Sequence, residues 1–474
     1  MFHSVNVFTG ETLYRRPAQD YAEFERRLAD LKMRGGAFAQ LGVTERAARL
    51  QKFADRLEAE KERFAEMVCE EVGRCLHECR AEIGKSIELI RYYARLAPEL
   101  LAHKTIATQA SLSQVRFEPL GVVFAVMPWN YPVWQVLRFA VPAMCAGNAC
   151  AVKPAPSVAR VSQALFDLAS DGIPLAGVWL DEAGTLKAVE DTDAMAFTGS
   201  TYTGRILAAH AGANLKKTVL ELGGSNAFIV MPDADLERAA AEACYSRFRD
   251  AGQSCNAAKR IIVTEAAADR FITLFLAECA KLKMGDPKHP DTTLAPLHRE
   301  DLRDRVHGQV EDAVSNGAVC LTGGKIPQGR GWFYPATVLD RVNPACRVWR
   351  EEVFGPAALI LRAENEEHAI RLANDSPFGL GACIYTADTG CAWRFAEKIQ
   401  AGSVVVKSPN TNTSCPAFGR VTESRSRQAA CLVCWPESVT HTTPPTEKTK
   451  HRARPAADGD DPTTSQPTPT PHHT

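Results

Sequence analysis

The sequence lacks a charge surplus of either sign: across 474 residues, 55 Lys plus Arg stand against 56 Asp plus Glu, a formal net charge of -1. A surface built to hold nucleic acid normally carries a strong basic excess, so no nucleic-acid partner is expected. The chain also lacks any apolar run of the ~18–20 residues needed to span a bilayer. Its first segment, MFHSVNVFTGETLYRRP, has neither an apolar signal core nor an amphipathic basic helix. No membrane partner and a cytoplasmic location are therefore expected. A compact cysteine framework is absent too: the 15 cysteines are scattered through a long chain, which fits a reducing compartment better than a disulfide scaffold. At this length, with 45% hydrophobic residues, two or three domains are expected.

Apolar side chains run out near the end. Residues 436 to 474 contain 8 Pro and 10 Thr and no Leu, Ile, Phe or Met. Such a stretch buries too little apolar area to offset its ordering entropy, so residues 429–474 are expected to be a disordered tail.

What remains is patterned. Residues 18 to 103 carry apolar side chains at three- and four-residue spacing and read as helices, the second opened by Thr44 as an N-cap. The period then changes. SQVRFEPLG alternates as a strand, and GVVFAVMPWN is an apolar strand closing in Trp129 and Asn130. Helices and strands then follow in turn through YPVWQVLRFAVPAMCAG, ACAVKP, a helix from Ser157 and AMAFTGS. A second such set runs from SNAFIV through CNAAKRIIV and DRFITLFLAECAKL to ACIYTAD. This alternation predicts parallel, doubly wound α/β sheets.

Several residues carry possible chemistry. Cys255, in GQSCNAAKR, sits at the head of a helix or strand, where helix-terminal amides lower a thiol pKa. A lone cysteine is more often a small core residue. Glu221 closes the strand VLELGG at the crevice end of a sheet, as a general base or as a cap on a neighbouring helix. Asn130 can donate to an oxyanion or cap the next helix. No GxGxxG follows the first strand. Instead FTGSTYTG places Gly199, Ser200, Thr201 and Gly204 before a helix whose amides can hold a pyrophosphate. AEIGKS ends like a P-loop, but Cys79 occupies the position of its first glycine. Cys69, Cys75, Cys79 and His77 have no paired second cluster, so no metal site is read.

Taken together, MPWNYP, KPAP, FTGSTYTG, LELGG, GQSC and EEVFGP resemble the aldehyde dehydrogenase superfamily in order and spacing over residues 5 to 428. WQVLRFAVPAMCAGN, ELGGS and GQSCNAAKR are most similar to the succinate-semialdehyde dehydrogenase type. The resemblance implies an α/β fold with a Rossmann-type cofactor domain (1–100 and 120–222) and an α/β catalytic domain (223–404). It also implies a small bridging β oligomerisation element (101–119 and 405–428). The implied activity is NAD(P)-dependent oxidation of an aldehyde to an acid, through a thiohemiacetal and thioester on Cys255. The implied substrate is succinate semialdehyde, and the implied assembly a homodimer or homotetramer.

By the same resemblance Cys255 is the nucleophile, Glu221 the general base and Asn130 the oxyanion donor. Lys153 contacts the adenosine ribose, Gly199 and Ser200 the pyrophosphate region, Trp129 and Leu222 the cofactor, and Glu352 and Phe354 the nicotinamide ribose. NAD-selective relatives tend to carry a carboxylate three residues after the lysine. Pro156 stands there instead, leaving Lys153 without a competing charge and favouring NADP or dual use. Arg138 and Arg249 match positions that clamp the far carboxylate of succinate semialdehyde, with an ordinary ion pair as the alternative.

The pattern breaks at FGRVTESRSRQ, where Arg420, Arg425 and Arg427 replace expected glycines, and it stops after Gln428, as a shifted reading frame would produce. A catalytically silent scaffold and a non-redox thioesterase or esterase are the remaining alternatives.

Overall fold

The chain divides into two units, Met1–Thr442 and Thr443–Thr474. The computed structural model describes residues 1–109 and 112–407, all within the first. The expectations for the C-terminal oligomerisation segment beyond Lys407, for Arg420, Arg425 and Arg427, and for the tail lie outside the described residues.

A hairpin of β1 (Phe2–Val5) and β2 (Thr12–Arg16) precedes four helices: α1 (Tyr21–Ala39), α2 (Val43–Ala59), α3 (Lys61–Val72) and α4 (Leu76–Leu100). Their apolar stripes explain the packing. Leu50, Phe53 and Leu57 of α2 and Ile83 and Ile87 of α4 join one buried cluster with sheet residues Val123 and Val152. Thr44 is not the cap of α2. Gly42 is, and its carbonyl accepts from the Glu45 and Arg46 amides at 3.0 Å each.

The expected strand at SQVRFEPLG shrinks to a two-residue ribbon, β3 (Lys104–Thr105) against β4 (Gln114–Val115). Beyond it Pro119 has no N–H to offer a ladder, and the Leu120 and Gly121 amides bond the Asn148 side chain at 2.7 and 3.1 Å.

The first large sheet follows as β5 (Val122–Val126), α5 (Trp134–Cys145), β6 (Ala149–Lys153), α6 (Ala159–Ala169), β7 (Leu175–Gly177), α7 (Glu182–Asp191), β8 (Ala194–Thr198), α8 (Thr201–Ala213) and β9 (Lys217–Glu221). Its five strands are all parallel, in the order β7-β6-β5-β8-β9. β5 ends at Val126, short of the expected Asn130, because Pro128 cannot donate to a neighbouring strand.

The second sheet is built from β10 (Asn226–Val230), α9 (Leu236–Phe248), β11 (Ala258–Thr264), α10 (Glu265–Cys279), α11 (Glu300–Ser315), β12 (Val319–Thr322), β13 (Thr337–Asp340), β14 (Ala357–Ala363), α12 (Glu366–Asn374), β15 (Ala382–Tyr385), α13 (Thr389–Lys398) and β16 (Val404–Lys407). The order is β12-β13-β14-β11-β10-β15-β16, with only β12 antiparallel to its neighbour. In the first sheet, Trp129 and Asn130, Lys153, Gly199, and Glu221 with Leu222 all lie at or just past the carboxyl ends of strands. That is the crevice side of a parallel sheet.

Candidate active site

Cys255 sits in the short loop before β11, at the head of a strand and not of a helix. The loop is held by close backbone approach and by charge. A Cβ on Gly224 would lie 2.5 Å from the Cys255 carbonyl oxygen, so only glycine lets the segment after β9 pass there. Lys259, fully buried in β11, donates from Nζ to the Ser254 and Cys255 carbonyls at 2.8 and 2.9 Å. It also pairs with Glu352 at 2.8 Å.

Upstream, Asp250 and Ala251 adopt φ of 53° and 51°, a left-handed conformation costly for residues with a side chain. Arg74 compensates by donating from Nε to Asp250 Oδ1 at 2.5 Å. Tyr131 Oη donates to the other Asp250 oxygen, and the Asp250 amide donates to Glu78 Oε1 at 2.7 Å. Burial alone would raise the Asp250 pKa, but Arg74 and Arg249 hold it below the usual aspartate range. Arg74 also pairs with buried Glu82, whose Oε1 accepts from the Val133 and Trp134 amides at 3.0 and 2.9 Å. One buried network thus ties α4, the start of α5 and the Cys255 loop together.

Cys255 lines a cavity of about 180 Å3 with Lys85, Trp134, Arg138, Tyr245, Arg249 and Asn256 among its walls. Sites for drug-sized ligands run to roughly 300–1,000 Å3, so this one suits a short substrate. Both candidate clamp arginines face it. Arg249 bonds Asn256 Oδ1 at 3.4 Å, stands 3.9 Å from Asp250 and faces the Tyr245 ring.

Arg138 is more deeply engaged than its position in the sequence suggested. Its Nη2 donates to Glu221 Oε1 at 3.1 Å, so the half-buried candidate clamp and the buried candidate base form one pair. Glu221 is the N-cap residue of no helix among the described residues, and it reaches the cavity through Arg138. Asn130 does not cap α5 either, since Val133 holds that place. The Asn130 side-chain amide donates to the Gln253 carbonyl at 3.0 Å, two residues before the nucleophile, and keeps a second N–H.

The expected cofactor residues form a neighbouring group. Trp129 stacks on His298 with centroids 4.2 Å apart and meets Phe354 edge-on at 5.8 Å. Ser200 caps α8, accepting from the Thr203 amide at 3.2 Å. The Gly199 amide is taken by the Glu221 carbonyl at 2.9 Å and the Gly204 amide by Ser200 at 3.0 Å, so neither is open to a phosphate. Gly204 instead lets α8 pack closely, since a Cβ there would lie 2.4 Å from Leu222. The Thr201 and Tyr202 amides begin the helix and are the ones left for an anion.

A dinucleotide fits this group. Thr201 Oγ1 is buried with no hydrogen-bond partner among the described residues. It faces Gly223, where a Cβ would lie 2.7 Å from Glu352 Oε2 and 3.4 Å from Thr201 Oγ1. Lys153 is partly buried beside the Phe2 ring, and burial lowers its pKa. Pro156 opens the single turn Pro156–Val158. The expectation that Lys153 meets no competing charge needs correction, because Glu182 and Asp181 act on it through space. Asp181 is occupied in capping α7 through the Gly184 amide at 2.8 Å.

The sequence profile of the Aldehyde dehydrogenase family matches residues 1–429. The chain belongs to the aldehyde dehydrogenase family. This aldehyde dehydrogenase is 40% identical over 428 residues to the NAD(P)+ succinate semialdehyde dehydrogenase Sad of Escherichia coli, covering 89% of this chain and 92% of that one. It is also 40% identical to succinate-semialdehyde dehydrogenase [NADP(+)] 1 of Mycobacterium bovis, covering 89% and 94%. Among solved structures, succinic semialdehyde dehydrogenase from Streptococcus pyogenes in complex with NADP+ superposes with a TM-score of 0.86 at 28% identity, over 93% of this chain and 100% of that one. The enzyme is thus an oxidoreductase acting on aldehydes. These similarities favour neither the scaffold nor the esterase alternative.

Sequence reasoning missed several residues that shape the site of this aldehyde dehydrogenase. Arg74, Glu78 and Glu82 belong to no motif singled out in the sequence, although Glu82 lies between the buried positions Cys79, Ile83 and Ser86. Lys259 was hidden in a strand run. Its signal was a charge inside AKRIIVT, all seven residues of which are buried. Among the described residues no group of three or more His, Cys, Asp or Glu is placed to hold a metal ion, and no helix is long and apolar enough to cross a membrane.

Proposed function

We propose that this aldehyde dehydrogenase oxidises succinate semialdehyde to succinate with NADP+ or NAD+. The observation that carries the reading is a short cavity in which Cys255 shares the wall with Arg138 and Arg249. Arginine binds carboxylates by paired, charge-assisted hydrogen bonds, so a cavity of this kind suits an aldehyde with a carboxylate at its far end.

In this reading Cys255 Sγ attacks the aldehyde carbon. The developing oxyanion is met by the Cys255 backbone N–H and the second N–H of Asn130. The nicotinamide, when bound, supplies the two-electron acceptor that takes the thiohemiacetal to a thioester. Trp129, Lys153, Gly199, Ser200, Leu222, Glu352 and Phe354 would surround the cofactor, with the first amides of α8 toward its phosphates. Glu221 then removes a proton from water as that water attacks the thioester, and Cys255 leaves as thiolate. Arg138 is shared between two carboxylates, that of Glu221 and that of the substrate. Substrate arrival therefore weakens the hold on Glu221.

Dual cofactor use is supported by Lys153, which has no direct ion pair among the described residues, and by Pro156, with Glu182 limiting the preference for a 2'-phosphate. Residues 1–100 and 120–222 serve the cofactor and 223–404 the chemistry. A cytoplasmic setting is supported by thiols scattered singly through the fold, such as the buried Cys69, Cys79, Cys145 and Cys150. Assembly into a homodimer or homotetramer is supported by the β3–β4 ribbon, where Ile106 and Val115 are 50% and 42% exposed. The test is an aldehyde panel with NADP+ and NAD+ beside Cys255→Ala. Succinate semialdehyde should give reduced cofactor and succinate, and Cys255→Ala should give neither. Turnover that persists in Cys255→Ala would remove the proposed nucleophile.

A further inference from the structure

Four side-chain cations other than histidine line the cavity, and three of them have carboxylate neighbours. Arg74 is paired with Glu82 and Asp250, Arg138 with Glu221, and Arg249 stands 3.9 Å from Asp250. Lys85 differs. Among the described residues no carboxylate lies within ion-pair distance of it, and its ammonium rests 3.7 Å from the centroid of the Trp134 ring.

The placement follows from the helix. Glu78, Ala81, Glu82 and Lys85 are spaced i, i+3, i+4 and i+7 on α4, so they present one face to the cavity. Lys85 keeps contact with water at the cavity mouth, yet protein crowds its ammonium. Desolvation, then Arg249 and Arg138, push its pKa down to about 8, while Glu82 on its own helix and Cys255 act in the opposite sense. Without substrate, Lys85 and the two arginines repel one another, and a carboxylate arriving among them relieves that repulsion. A neutral aldehyde does not.

We propose that Lys85 is a specificity-determining residue, forming with Arg249 the contact for the far carboxylate of the substrate. The inference rests on the proposed carboxylated aldehyde. Arg138 is largely committed to Glu221, so Lys85 is the cation with most to gain from the substrate's charge. The Trp134 ring face holds the Lys85 ammonium at the cavity wall, and the N–H donors not directed at the ring remain for a ligand.

The test compares kcat/KM for succinate semialdehyde and for butanal, a neutral aldehyde of the same carbon count, in the full chain. Lys85→Met keeps the packing on Trp134 and removes the charge, Lys85→Gln is the substitute should the methionine variant be insoluble, and Lys85→Arg restores the charge. The expected result is a fall of about tenfold or more in the ratio of the two values for Lys85→Met, carried mainly by KM, and a ratio within about threefold of the original for Lys85→Arg. Arg249→Gln is measured alongside. Should Arg249→Gln lose the preference while Lys85→Met and Lys85→Gln keep it, the role of Lys85 is overturned and the substrate reading stands. Should the unaltered enzyme show no preference for the acid, the substrate reading falls and the Lys85 inference with it.

Discussion

Replacing Arg74 with methionine should damage both stability and catalysis, because Arg74 lines the Cys255 cavity and holds the loop that carries the cysteine. The guanidinium is 3% exposed and serves two buried carboxylates, Glu82 and Asp250, while lying over the Tyr131 ring at 4.1 Å. Removing one partner of a buried ion pair costs about 3–5 kcal/mol, because the charge left behind is uncompensated. Unfolding entropy of about 2.1 cal/mol/K per residue over about 400 residues is about 0.8 kcal/mol/K, so the expected fall in Tm is about 4–6 °C.

The second effect is local. Asp250 and Ala251 are held at φ of 53° and 51°, and conformations of this kind cost on the order of 1–3 kcal/mol each. Once Asp250 loses Arg74 the loop relaxes, and a displacement of about 1 Å at a reacting group costs about a hundredfold in rate. Thermal unfolding, kcat, and the rate of Cys255 alkylation in the cofactor-free protein should therefore change together, with Arg74→Lys recovering only part because an ammonium cannot fork across both carboxylates. A methionine variant within about 1 °C in Tm and about threefold in kcat would refute the reasoning.

Three further expectations follow from the same geometry. Lys259→Met frees the Ser254 and Cys255 carbonyls and Glu352 together, so it should raise KM for the cofactor and alter Cys255 alkylation even without cofactor; a change in neither would reduce Lys259 to a packing role. Lys85, with its pKa lowered to about 8, carries its charge below that value and loses it above. KM for succinate semialdehyde should accordingly climb as pH passes about 8, with no matching climb for butanal, and Lys85→Arg should flatten the difference; parallel profiles for both aldehydes in the unaltered enzyme would contradict this. Pro156→Glu should raise KM for NADP+ by about tenfold or more relative to NAD+, by setting a carboxylate near Lys153 where a 2'-phosphate would bind; an unchanged ratio of the two KM values would argue against that placement.

Much of the fold was legible because its signals are local. The helical period in α1 to α4 and the apolar runs of β5, β6, β8, β10 and β11 follow from side-chain burial along one segment at a time. Departures came where a local signal met a distant partner. SQVRFEPLG alternates correctly, yet Asn148 takes two of its amides and Pro119 offers none.

The site divides in the same way. Cys255, Glu221 and the two arginines stand out within their own motifs, and the cavity brings Cys255 together with Arg138 and Arg249. The pairing of Arg138 with Glu221 joins residues 83 apart in sequence, and that of Arg74 with Asp250 joins residues 176 apart. No periodicity within one segment reveals such partners. The Gly204 amide was misassigned for a related reason: a glycine near a helix start signals either an open amide or close packing, and only the position of Leu222 decides between them.

The central claim is that the Cys255 cavity selects an aldehyde by a charge at its far end. The most direct measurement is the ratio of kcat/KM for succinate semialdehyde to that for butanal in the unaltered full chain, followed by formation of reduced cofactor at fixed ionic strength. The account predicts a ratio of about ten or more in favour of the acid, collapsing toward one in Arg249→Gln. Equal or better turnover of butanal by the unaltered enzyme would contradict it.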